Sequence, residues 1–91
     1  MPISHNNLQL QAEELQGLIN QMRSTTLPFL HVYKPGKEAF KRVTAGVKAA
    51  LLAIRDQDTA GIQKQIENLK QYRTSDQITA LVKETNANLP Q

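Results

Sequence analysis

The chain reads as an all-α protein: a compact bundle of about four helices, two longer and two shorter, with an extended apolar connection between the first two. Three observations point there. Apolar residues recur at alternating spacings of three and four in separate segments, which is the period of a helix face. Pro-Gly, Asp-rich and Ser/Thr-rich clusters separate those segments, as turn and capping residues do. The best run of strand character, Phe29 to Tyr33, is only five residues long. A lone strand has nothing to pair with inside one chain unless a copy of itself or a partner supplies the edge.

The first helix is expected over about 5–24. Leu8, Ala12, Leu15, Ile19 and Met22 form its stripe, with Leu18 widening it, while Leu10 falls on the opposite side. Ser4, Asn6 or Asn7 supplies a cap for the start. Ser24-Thr25-Thr26 and then Pro28 are expected to end it, because the residue before a proline is pushed out of helical geometry. Residues 25–36 then form the extended connection, closed by the breaker pair Pro35-Gly36.

The second helix is expected over 37–55, with Phe40, Val43, Val47, Ala50 and Ile54 inward and Ala39 and Leu51 broadening the face. Gly46 lies inside it. A mid-helix glycine costs about 1 kcal/mol relative to alanine, so close approach of a neighbouring helix is the expected reason for it. Asp56-Gln57-Asp58-Thr59 breaks the pattern and offers a cap at Asp58 or Asp56. A third helix follows over 59–72 on Ile62, Ile66, Leu69 and Tyr72. Thr74 with Gln77 three residues on resembles a capping box for a fourth helix over 76–85, whose inner face is Ile78, Leu81 and Val82. Residues 86–91 are expected to fray.

Composition bounds what such a bundle can do. Ninety-one residues make one domain with a modest core. The absence of cysteine removes disulfides, thiolate metal sites and cysteine nucleophiles, and it fits a reducing, cytoplasmic setting. The start, MPISHNNLQLQ, has neither a basic nor an apolar region of a secretory signal. The longest apolar run, Ala49 to Ile54, is six residues, far below the ~20 of a membrane span. The expectation is a soluble protein.

No catalytic constellation is evident. His5 and His31 are far apart, with no carboxylate at helical spacing from either, whereas a metal site needs three or four converging ligands. A phosphoryl-carrying histidine should stand on an exposed helix face, and His31 is expected in a loop. Glu13 and Glu14 diverge by about 100° on a helix, and Asp56 and Asp58 are explained by capping. The four glycines are isolated, so no phosphate-cradling loop exists. The expectation is a non-enzyme with no cofactor and no metal.

The net charge of +3 is concentrated in one place. Residues 25–55 carry Lys34, Lys37, Lys41, Arg42, Lys48 and Arg55 against Glu38 alone, while both flanking segments are slightly acidic. Lys41, Lys48 and Arg55 are spaced by seven and Lys37 falls on the same line, so they stack within about 40° of one another on a helix. Such a ridge suits phosphates, acidic protein surface or anionic lipid headgroups, or it is a solvated flank whose lysine stems cover the edge of the core.

Two roles compete for LPFLHVYKPGK. Leu27, Phe29, Leu30, Val32 and Tyr33 either cap the open end of the bundle or form an apolar patch that docks a partner. The functional expectation is a small helical protein–protein interaction domain, acting as adaptor, regulator or inhibitor through residues 27–48. Its contact residues are Phe29, Leu30, Tyr33, Lys34, Lys37, Lys41, Lys48 and Arg55. The expected partner is a protein with an acidic surface. The alternatives are nucleic acid bound by the basic stripe and a homodimer built on the first helix.

Overall fold

The computed structural model describes residues 5–89. Ser4, the side chains of His5 and Asn6, Pro90 and Gln91 lie outside the described residues, and with them a cap at Ser4 or Asn6 and the last part of the expected frayed tail.

The first helix does not end at Ser24. α1 (His5–Gln21) passes into a π-helical turn (Met22–Thr26) and then into α2 (Leu27–Val32) without leaving helical geometry. This corrects the extended connection expected between the first two helices and the strand character read from Phe29 to Tyr33. The reason lies in how Pro28 is accommodated. A proline inside a regular helix collides with the carbonyl four residues back and lacks a donor. Here the wider turn lets the Leu27 N–H donate to the carbonyl of Met22, five residues back, so Pro28 falls in the first turn of α2, where no donor is needed. The chain turns at Tyr33, the one extended residue of the junction (φ −91°, ψ 107°). A 3₁₀ turn over Lys34–Gly36 follows, and then α3 (Lys37–Arg55).

The remaining elements follow the sequence closely. Asp58 caps α4 (Thr59–Lys70), its side chain accepting from the Gly61 N–H at 3.1 Å. The capping box forms at the start of α5 (Ser75–Ala87): Gln77 N–H donates to Thr74 Oγ1 at 3.1 Å and Thr74 N–H to Gln77 Oε1 at 3.0 Å. Asn86 and Ala87, expected in the frayed tail, are the last residues of α5. Asn86 is held because its Nδ2 donates to the carbonyl of Pro35 at 2.9 Å.

The chain is thus a bundle of four helical rods: α1 continued into α2, α3 with its 3₁₀ lead-in, α4 and α5. α3 is the spine. Leu8 and Ala12 near the start of α1 share a cleft with Ile54 at the end of α3 and Ile62 at the start of α4, so α1 and α4 run antiparallel to α3. A Cβ at Gly46 would stand 3.1 Å from Asn68 and 3.3 Å from Leu69, the close approach expected of that glycine. α5 carries the chain on to the other end of the spine, where Arg42 meets Glu84 at 3.4 Å. The predicted stripes make the core: Leu15, Leu18, Ile19 and Met22 pack with Val43, Val47 and Ala50, with Ile62, Ile66, Leu69 and Tyr72, and with Ile78, Leu81 and Val82. Leu10 is 64% exposed, as its place off the stripe requires. No helix among the described residues is long and apolar enough to cross a membrane.

Candidate functional site

The segment Leu27–Gly36 divides its side chains between core and surface. Leu30 is buried at 1% exposure, whereas Phe29 is 47%, Tyr33 42% and Val32 77% exposed. It is therefore neither the full cap nor the full docking patch that the sequence proposes. Leu30, expected among the contact residues, is a core residue, and the cap is reduced to Leu30 with help from half-buried Leu27.

The π turn decides this division. Successive residues of an α-helix turn by about 100°, so a continuous helix from Ile19 would leave Thr26 and Tyr33 near the middle of the inner face. A turn with i→i−5 bonding accommodates one more residue. It rotates everything after it back by nearly that step. Leu30 stays on the core side, while Phe29 and Tyr33, four residues apart, swing out together. Their rings stack with centroids 5.3 Å apart and planes 18° from parallel. Such a pair contributes about 0.5–1.5 kcal/mol beyond its burial, which gives the exposed rings a defined shape.

Beside the stack lies a groove of about 440 Å³ between α2 and the first turns of α3. Phe40 and Tyr33 give it an apolar side above buried Leu30, His31 flanks it, and Lys34, Lys37 and Lys41 stand around it. The His31 ring meets Phe40 at 5.7 Å in a tilted arrangement. Gly36 lets the 3₁₀ turn approach α2: a Cβ there would fall 2.9 Å from Leu30 Cδ2.

The basic stripe is divided between paired and unpaired cations. Lys41 pairs with Glu38 at 3.3 Å and Arg55 with Asp56 at 3.0 Å. Lys34, Lys37 and Lys48 have no acidic partner among the described residues. From Lys37 along α3, Lys48 lies about 16 Å and Arg55 about 27 Å away. Three cations therefore gather at the groove, and Lys48 and Arg55 continue along the helix away from it.

Two groove residues are absent from the sequence-based contact set. Phe40 was assigned to the inner face of α3 and is half-buried at its edge. His31, expected in a loop, stands exposed on α2. The signal that would find them is the helical state of residues 27–32, which puts His31 and Phe40 on two neighbouring helices. The described residues hold no group of three or more His, Cys, Asp or Glu arranged to bind a metal ion.

No known family model, curated protein or solved structure matches the chain.

Proposed function

We propose that the protein is a small, non-enzymatic helical interaction domain, an adaptor, regulator or inhibitor, that binds another protein through the groove between α2 and α3 and the stacked rings beside it. The observation that carries this reading is the exposure of Phe29 and Tyr33. The chain has four aromatic residues, and burying a side chain of this size stabilises by about 1.5–3 kcal/mol. A small bundle that turns two of its four rings outward, beside an apolar groove, forgoes stability that folding alone would take. Exposed aromatic anchors beside apolar surface are what interfaces use.

The test is the double variant Phe29→Ala/Tyr33→Ala. Neither ring belongs to the buried core, so circular dichroism and thermal unfolding should show a retained fold. Partner capture from a native lysate should be lost. Capture at the wild-type level by a folded variant rules out this surface.

Nucleic-acid binding is the second reading, favoured by the roughly 27 Å line of cations from Lys37 to Arg55 along α3. It predicts capture that nuclease treatment abolishes and affinity that falls steeply with salt. Pairing of Lys41 and Arg55 with acidic neighbours leaves it the weaker of the two.

A further inference from the structure

We infer that the groove takes an acidic segment of the partner protein: one large aliphatic or aromatic side chain seated against Phe40 and Tyr33, with two or more carboxylates meeting Lys34 and Lys37 beside Lys41. This deepens the interaction reading above and rests on it.

The first argument is charge. Three ammonium groups border one apolar groove. The acid beside them, Glu38, is already engaged by Lys41. Lys34 and Lys37 have no acidic partner among the described residues. An incoming carboxylate meets complementary potential, and such complementarity sets both the on-rate and the choice of partner.

The placement of these cations is the second argument. Lys37 is the first residue of α3 and Lys34 lies in the 3₁₀ turn leading into it, at the end where a helix carries partial positive charge and favours anions. Neither Tyr33 nor Gly36, the residues preceding the 3₁₀ turn and α3, makes a side-chain cap. By contrast α4 and α5 both begin with side-chain caps, at Asp58 and Thr74. Glu38 is the one acid in the first turn of α3 and is engaged by Lys41, so an acidic ligand would supply the counter-charge that Lys34 and Lys37 lack.

The shape of the site separates a protein segment from other anions. A phosphate backbone would use the lysines and leave Phe40 and the Phe29–Tyr33 stack uncovered. A groove of about 440 Å³ has the capacity of a side-chain or small-ligand pocket. Charge and apolar surface together describe a segment with an apolar anchor between acidic residues.

The experiment is selection of random 12-residue peptides displayed on phage against the immobilised full chain. Fluorescence polarisation of the enriched peptides then follows, on wild type, Lys34→Glu/Lys37→Glu and Phe29→Ala/Tyr33→Ala. The expected result is enrichment of a Leu, Phe or Trp flanked by Asp or Glu. Affinity should fall at least about tenfold in Lys34→Glu/Lys37→Glu, and that variant should prefer the same peptide with Lys in place of its acids. Neutral or basic enriched peptides, or affinity within twofold in the charge-reversed variant, overturn the inference. If such peptides still lose binding in Phe29→Ala/Tyr33→Ala, the interaction reading survives without the acidic partner. If no peptide is enriched, both readings fall, and binding of duplex DNA or phosphatidylserine vesicles that Lys34→Glu/Lys37→Glu weakens, or dimerisation seen by light scattering, then names the other occupant.

Discussion

The Thr26 hydroxyl, 1% exposed as a residue, donates to the carbonyl of Tyr72 at 3.1 Å across 46 positions of sequence. This bond ties the last residue of the π turn to the end of the α4 segment. It satisfies a carbonyl that follows the end of α4, and it holds the turn that aims Phe29 and Tyr33 outward.

Replacing Thr26 by Val keeps the shape and removes the donor, leaving the Tyr72 carbonyl unsatisfied. Stability should fall by about 1–3 kcal/mol in urea or thermal unfolding. Thr26→Ser, which keeps the hydroxyl, should lose less. A loss in Thr26→Ser with none in Thr26→Val would place the effect in the methyl group rather than the bond.

Asp58 and Thr74 each satisfy an orphan N–H at a helix start. Asp58→Ala and Thr74→Ala should each destabilise by about 0.5–2 kcal/mol. The two sites share no partner, so the double variant should show the sum of the two losses.

Gly46 is a packing glycine. A leucine there would drive into Asn68 and Leu69, already 3.1 and 3.3 Å from where its Cβ would stand. Gly46→Leu should cost about 1–3 kcal/mol through overpacking, although it removes a helix-weakening residue. Unfolding midpoints decide this, and a stabilised variant would show that α4 can move away freely.

Reversing Lys37 should separate stability from binding. Lys37→Glu replaces a cation with an anion at the start of α3, which should raise stability by about 0.3–1 kcal/mol at low salt. Binding of an acidic peptide should fall in the same variant. Thermal melts at 20 and 500 mM salt test the first part, because the gain should shrink as the charges are screened.

Much of the fold was legible in local residues. The bounds 37–55 of α3 matched, because Pro35-Gly36 and Asp56–Asp58 are breakers that act through their own backbone. Asp58 and the Thr74–Gln77 pair could be read as caps because every atom of those motifs lies within a few residues. The inner faces of α3, α4 and α5 followed from spacing alone, since a helix period dictates which residues share a side.

The stretch 25–36 was misread because its local signals point the wrong way. Pro28 and the run Ser24-Thr25-Thr26 favour a helix end when only neighbours are considered. The helix continues through the widened turn, with the Leu27 N–H reaching Met22, the Thr26 hydroxyl reaching Tyr72 and Leu30 entering a core contributed by other helices. The candidate site suffered the same fate: the lysines were visible as a stripe, but the groove they border exists only where α2 lies against α3.

By itself the sequence determined four helical rods, their inner faces, two of their caps and a concentration of positive charge in the middle third, because each of these depends on interactions over a turn or two. The tertiary structure alone decided that α1 continues through a π turn, that Leu30 goes in while Phe29 and Tyr33 stay out, and that three lysines meet one apolar groove. Those outcomes depend on contacts between residues tens of positions apart, such as Thr26 with Tyr72 and Asn86 with Pro35, whose strength no local pattern encodes.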